Sequence, residues 1–208
     1  MISAYDGHAP VVDGLAFVAR DATVCGDVQI GAGARIMHGA RVIAEAGGSI
    51  RIGRNVIVME NAVVRATARH ACSIGDHCLV GPGAHVVGAT IGEEVFIATG
   101  ASVFHGASIG AGAEVRINGI VHLRTRLEAG ATVPIGWVAV GDPAVMLSPD
   151  RHEEIWAIQK PLDFPGFVYG LDRQRPDLMR ALTRDLSAAL GVHGSERPAG
   201  EAGDAGAC

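Results

Sequence analysis

The chain of 208 residues has room for one domain and an appendage, and 49% of its residues are apolar although only 4% are aromatic. An aliphatic core is therefore expected, and wholesale disorder is excluded. The net charge of −5 and the lack of a Lys/Arg stripe argue against a nucleic-acid partner, and no apolar run approaches the roughly 20 residues of a membrane span. Because the first residues also lack the pattern of a signal peptide, we expect a cytoplasmic protein that does not associate with membranes.

An internal repeat of six residues runs through most of the chain. Aliphatic residues recur at Val18, Val24, Ile30, Ile36, Val42, Ile52, Val58, Val64, Ile74, Val80, Val86, Ile91, Ile97, Val103, Ile109, Val115, Val121, Leu127 and Val133. Most steps are six residues, which is neither the period of a helix nor simple strand alternation. Six does fit a short strand followed by a tight turn, with the aliphatic residue pointing inward and small residues at the bend. The sequence therefore predicts a mainly β fold, a parallel β-helix of hexapeptide type over residues 1–145.

Two long steps interrupt the repeat, at Ala44–Ser49 and Arg65–Ser73. Each is predicted to be a loop bulging from a corner of the solenoid. Loops that interrupt a regular solenoid usually line its functional face.

The remainder of the chain is predicted to be a helical appendage, residues 146–191, and a disordered tail, residues 192–208. Ser148 is the expected N-cap of a helix that continues to about Gln159, and a second helix is predicted over Asp177–Leu190. The tail consists mostly of Gly, Ala, Ser, Glu and Pro, a composition typical of disorder. The four cysteines form no C-x-x-C pair and no disulfide framework, so we expect ordinary core or surface residues at Cys25, Cys72, Cys78 and Cys208.

Four segments together resemble the γ-class carbonic anhydrases. They are Gly26–Gly31, Gly48–Gly53, Glu60–Val64 and Val140–Ala144, and the likeness covers roughly residues 10 to 160. The resemblance implies a left-handed β-helix, a homotrimer, and an active site between subunits where three histidines hold a zinc or iron ion. It also implies a C-terminal helix packed along the prism.

The resemblance places the three metal-ligand positions at Arg65, Pro82 and Val87, none of which is histidine. Arg donates only and stays protonated, while Pro and Val offer no side-chain lone pair, so we expect no metal and no other cofactor. The family's Arg-Gly-Asp segment reads Ala44-Glu45-Ala46 here, and its Gln-Asp pair reads Met59-Glu60. Since Glu60 has lost its arginine partner, we expect Arg65 to pair with Glu60 across the subunit interface or to bind a small anionic ligand there.

Several histidines remain as candidates for chemistry. His70 lies in the second bulge, near the former site, where it is either a binding or catalytic group or a solvated loop residue. His85 is expected to point outward to the trimer interface, and His105 and His122 to form a surface pair. Hexapeptide acyltransferases use a histidine base, so His70, His85 and His105 are the candidates for that role.

The leading interpretation is a γ-carbonic-anhydrase-like homotrimer that has lost its metal and does not hydrate CO2. Its interface cleft either binds a ligand or partner or is purely structural. The alternatives are a hexapeptide acyltransferase with a histidine base and an enzyme with a metal site rebuilt from His70 and groups of neighbouring subunits.

Overall fold

The computed structural model describes residues 1–198; residues 199–208, with Cys208 and most of the predicted tail, lie outside that part. The chain winds into a solenoid whose three faces are parallel sheets, each receiving one short strand from every coil. This architecture confirms the parallel β-helix predicted from the repeat.

The three sheets are named here by number. Sheet 1 contains, in spatial order, Val145–Leu147, Val138–Val140, Ile120–Val121, Ser102–Val103, His85–Val87, Val63–Ala66, Arg41–Ala44, Thr23–Cys25, Ile2–Ala4 and Arg197–Pro198. Sheet 2 contains Val11–Val12, Val28–Ile30, Ile50–Ile52, Cys72–Ile74, Thr90–Ile91, Ser108–Ile109 and Arg126–Leu127. Sheet 3 contains Thr132–Val133, Glu114–Val115, Phe96–Ile97, Leu79–Val80, Ile57–Val58, Arg35–Ile36 and Phe17–Val18. Only the outermost pair at each end of sheet 1 is antiparallel.

The core is a stack of the aliphatic residues that the repeat predicts to point inward. From Val24 to Val133, each of them is at most 3% exposed, and Val18 at the open end is half-buried. Their register partners in the next coil are also inward aliphatics, as in the pair Val64 and Val86. Each coil therefore packs like its neighbours. For this reason the aliphatic positions of the six-residue repeat are also the buried positions of the core.

The corners of the solenoid require residues that tolerate a left-handed backbone. Gly33 has φ +73°, and a Cβ there would lie 2.2 Å from Oδ1 of Asn55 in the next coil. Asn55 itself has φ +53°, a conformation that asparagine adopts more readily than most residues. Glycine and asparagine stacked at one corner thus allow successive coils to approach closely.

The two predicted bulges lie where the sequence placed them. In the first, the N–H of Gly48 donates to the carbonyl of Glu45, and in the second Thr67 and His70 exchange main-chain hydrogen bonds. In these coils register partners such as Ile52 and Ile74 are 22 positions apart, whereas Ile91 and Ile109 in a later coil are 18 apart. The bulges lengthen the coil without displacing the inward residues.

The appendage follows the last coil and contains two helices, α1 (His152–Gln159) and α2 (Leu178–Gly191). Ile155 of α1 is buried against the hairpin that closes sheet 1, which extends the solenoid to Leu147. Helix α1 begins at His152 without a side-chain cap, so the cap predicted at Ser148 is wrong. The carbonyl of Ser148 instead closes a turn with the N–H of Arg151, which delays the helix start.

Between and after the helices lie three short turns. They are a 3₁₀ turn at Lys160–Leu162, a π-helical turn at Pro165–Tyr169 and a 3₁₀ turn at Val192–Ser195. None of the helices over residues 1–198 is long and apolar enough to cross a membrane.

Residues 192–198 form a turn and a short strand, whereas the sequence predicted a disordered tail there. Its 3₁₀ turn is followed by Arg197–Pro198, which pairs antiparallel with Ile2–Ala4 at the edge of sheet 1. An otherwise unpaired strand edge supplies hydrogen bonds that the composition of the segment does not reveal. We call residues 192–198 the C-terminal segment.

Candidate functional site

A column of side chains runs along the outer face of sheet 1. Successive register partners in this column are Ser3, Cys25, Ile43, Arg65 and Val87. Each follows an inward residue, so its side chain points away from the core. The column contains two of the three positions that the resemblance assigns to metal ligands.

The side chains at those positions do not fit a metal ion. Arg65 donates from Nε to Oε1 of Glu45 at 3.0 Å, and its Nη2 lies 2.7 Å from the same oxygen. Val87 is buried and Pro82 half-buried, and neither carries a side-chain donor atom. A tetrahedral zinc site needs about three N, S or O ligands, so no catalytic step can be assigned to a metal here.

The contact between Arg65 and Glu45 is part of a larger set of linked side chains. We call Arg65, Glu45, His193 and Glu196 the carboxylate network. Oε2 of Glu45 lies 2.8 Å from Nε2 of His193, and Nδ1 of that ring contacts Oε1 of Glu196. The Tyr5 ring stacks on His193 with a centroid distance of 4.4 Å. The C-terminal segment is thereby tied to the first bulge by alternating charges.

Glu60 does not take part in this network. It is half-buried one coil before Pro82, and within residues 1–198 its carboxylate forms no ion pair. Within one chain the carboxylate partner of Arg65 is therefore Glu45, a residue that the sequence analysis did not select. Pairing of Arg65 with Glu60 across a subunit interface stays a prediction.

Two of the three candidate histidines, His70 and His105, lie against each other, and His85 is near enough for its charge to act on His105; we call the three the histidine cluster. The rings of His70 and His105 meet edge to face at 5.2 Å. Gly88 permits this approach, because a Cβ there would lie 2.5 Å from Cβ of His70. His70 is not a solvated loop residue: its Nε2 lies 3.1 Å from the carbonyl of Phe167, whose ring packs against it at 4.5 Å.

Burial shifts the protonation of the cluster. Burial, with smaller contributions from His70, Arg65 and His85, lowers the pKa of His105 to about 4. Burial and the charge of Arg65 also lower the pKa of His85. The His105 imidazole is therefore neutral at pH 7, and in the described part of the chain its buried Nδ1 has no hydrogen-bond partner.

His105 and His122 do not form the expected surface pair. His105 is buried, and the partly buried His122 ring faces Phe104 at 6.2 Å. Burial lowers the pKa of His122. The burial of this end of the face was not predicted from the sequence.

A second group of donors lies at the N-terminal end of the column. Atoms of Cys25, His193 and Glu196 all lie within 4.8 Å of one another. Burial raises the pKa of the Cys25 thiol to about 11, although a contact with Ser3 opposes this shift. His193 and Glu196 fall in the predicted tail, so no motif in the sequence indicates this group.

Two surface depressions lie on the other faces. One of about 520 Å³ on sheet 3 is mostly apolar and is lined by Leu15, Phe17, Met37, Ile57 and Met59, among others. Another covers sheet 2 near Gln29 and Arg51. Neither contains a residue that the sequence analysis proposed for a site.

Comparison with known proteins gives close agreement with the resemblance. No family model matches the chain. It is 33% identical over 152 residues to γ carbonic anhydrase 1, mitochondrial, of Arabidopsis thaliana, which covers 71% of this chain and 53% of that protein. Identity to γ carbonic anhydrase 2, mitochondrial, of the same plant is 31% over 152 residues, 71% of this chain and 52% of the relative. The chain thus spans about half the length of these curated relatives.

Among solved structures, a hexapeptide transferase family protein from Anaplasma phagocytophilum aligns with a TM-score of 0.38. The identity is 26%, and the alignment covers 77% of this chain and 91% of that one.

Proposed function

We propose that this chain, which belongs to the γ-carbonic-anhydrase-like family of hexapeptide-repeat proteins, does not hydrate CO2 and serves as a structural, partner-binding homotrimer. In this proposal the solenoid is left-handed and the outer face of sheet 1 lies at the subunit interface. The observation that carries the proposal is the Arg65–Glu45 pair, which stands where the resemblance expects the first metal ligand.

The electrostatics of this pair favour a structural role over ligand binding. Glu45 already compensates the charge of Arg65 and also contacts His193. A small anionic ligand at Arg65 would have to compete with the carboxylate of Glu45. That carboxylate is held in place by Arg65 on one side and by His193 on the other. A fixed guanidinium fork satisfied by a carboxylate is a stable contact for an interface but supplies neither a Lewis acid nor a bound hydroxide.

The test is CO2 hydration by the full chain, measured by stopped flow after incubation with zinc and with iron(II). We expect the rate to equal that of the buffer, because the three ligand positions cannot hold the ion that activates water. A three-histidine member of the family, assayed in parallel, provides the positive control. A rate well above buffer that a chelator abolishes would refute the proposal.

The histidine cluster supports a second candidate, a hexapeptide acyltransferase. His105 is neutral at pH 7 with an unpartnered nitrogen, which is the state that a general base requires. The chain would then bind coenzyme A, and His105→Gln would abolish acyl transfer while His8→Gln, a change at an exposed histidine, would not. Calorimetric titration with coenzyme A separates the two candidates, since the structural homotrimer predicts no binding.

A further inference from the structure

We propose that Cys25, His193 and Glu196 form a zinc site that fastens the C-terminal segment to the N-terminal end of the solenoid. This inference goes beyond the proposed function and concerns a different place in the molecule. Cys25 shares the outer column of sheet 1 with Arg65 but lies two coils earlier. The proposal also departs from the metal-free chain that the sequence analysis expects.

The three side chains supply the atoms that zinc prefers. They are a thiol sulfur, an imidazole nitrogen and a carboxylate oxygen, all within 4.8 Å of one another. Around tetrahedral zinc, with bonds of about 2.0–2.3 Å, ligand atoms stand roughly 3.3–3.8 Å apart. The donors therefore need side-chain adjustments of only about 1 Å, and a fourth position remains for water.

The backbone places these donors through strand pairing. Ser3 is the register partner of Cys25 on one side and of Pro198 on the other. Cys25 follows the inward Val24, so it faces away from the core, yet it is only 1% exposed because the C-terminal segment lies over it. The Ser3 hydroxyl donates to Oε2 of Glu196 at 3.0 Å, which holds that carboxylate beside the thiol.

The surroundings of His193 orient its ring for a metal. Nε2 faces Glu45 at 2.8 Å, and Glu45 is held by Arg65, so Nδ1 is the nitrogen directed to Glu196. A carboxylate that accepts from the far nitrogen of a ligating histidine is the usual outer partner of a zinc site. Stacking of Tyr5 on the ring fixes its plane.

Metal binding would replace protons with zinc. The proton between Nδ1 of His193 and Oε1 of Glu196 and the proton of the Cys25 thiol pass to solvent, and zinc takes their place. No oxidant or reductant is needed. Bound zinc would satisfy all three groups together. Without it, the buried thiol only lies beside a histidine–carboxylate pair.

The experiment uses the full chain, stripped with a chelator and titrated with zinc against a competing chromophoric chelator. We expect about one zinc per chain and, with cobalt(II) as a spectroscopic substitute, a thiolate-to-cobalt charge-transfer band. Zinc should also slow hydrogen exchange in the C-terminal segment. Absence of stoichiometric binding, or binding without the thiolate band, would overturn the proposal.

Variants identify the ligands. We expect each of two variants, Cys25→Ser and His193→Gln, to lose the cobalt thiolate band or most of the zinc affinity. The matched control is Cys72→Ser, a change at another buried cysteine, which should retain both the band and the affinity. Because His193 is partly exposed, His193→Gln remains informative if Cys25→Ser does not fold. Retention of zinc affinity in His193→Gln, or its loss in Cys72→Ser with an intact fold, would contradict the assignment.

Glu45 is the positioning residue of this site. Glu45→Gln, which keeps a hydrogen-bond acceptor, should weaken zinc binding by about 10-fold or more while leaving the thiolate band in the cobalt form. An unchanged zinc affinity would remove Glu45 from the site. Hydration of CO2 is measured separately on the same zinc-loaded protein, so failure of this site and failure of the proposed function give different results.

Discussion

Arg65 carries a fixed positive charge on the outer face of sheet 1, and its surroundings explain why that charge is tolerated. Glu45, only 14% exposed, accepts from it and is also contacted by His193. Removal of one member of such a partly buried pair leaves the other without its partner. The resulting loss of folding free energy is larger than the net stabilisation that the pair contributes. The residue thus acts through a network rather than as an isolated surface charge.

Arg65→Ala should therefore lower the free energy of unfolding by about 1–2 kcal/mol, measured by urea denaturation. Arg54→Ala is the matched control, because Arg54 pairs with Asp76 but is 70% exposed, and it should cost less than about 1 kcal/mol. The double change of Arg65→Ala with Glu45→Gln should recover part of the loss. Equal effects of the two single arginine variants would show that the network adds nothing.

The π-helical turn Pro165–Tyr169 is an element whose role appears only through its packing. Its Phe167 ring covers His70 and lies under Arg124 at 5.4 Å, and a Cβ on Gly106 would collide with it at 2.8 Å. The turn thereby covers the cluster on the side of His70. Burial of that kind is the main reason that the pKa of His105 is low.

Phe167→Ala should raise the pKa of His105 from about 4 towards its ordinary value of 6.5, observed by NMR titration of the ring protons. Phe164→Ala, at an exposed phenylalanine of the same connector, is the control and should leave that titration unchanged. An unchanged His105 in Phe167→Ala would mean that the strands alone bury it.

The same pKa shift fixes the sign of a pH effect on stability. Because the pKa of His105 is lowered on folding, its contribution is complete above pH 6.5 and is lost as pH falls through about 4. The wild type should consequently lose stability over this acid range more steeply than Phe167→Ala, which the same denaturation experiment can follow as a function of pH.

The outer face of sheet 1 is only partly covered within one chain. Val63 and Phe104 on this face are half-buried, Val87 is buried, and His85 lies beside them. An interface needs such apolar side chains around its charged positions. The face is where we expect copies of the chain to meet.

Light scattering at micromolar concentration should give the mass of a trimer. Phe104→Glu should shift the protein towards monomer, because it places a charge in the proposed interface, while Phe96→Glu on sheet 3 should not. A monomeric wild type would remove the argument for a shared cleft between subunits.

The six-residue repeat alone predicts the solenoid. Every coil offers its aliphatic residue the same surroundings, so a six-residue period in the sequence is also a period of burial, and residues from Val24 to Val133 could be assigned to the core one by one. The positions of both bulges followed from the same count.

The side chains that pack against the outer column of sheet 1, by contrast, depend on contacts distant in the sequence. The bulges and the C-terminal segment have no period, so nothing in the sequence indicates that Glu45 reaches Arg65 or that Phe167 covers His70. His193 lies 148 positions from Glu45, in a segment whose polar composition predicts disorder. Its docking depends on hydrogen bonds to an open strand edge and on charges already fixed by the fold, and these exist only once the solenoid has formed.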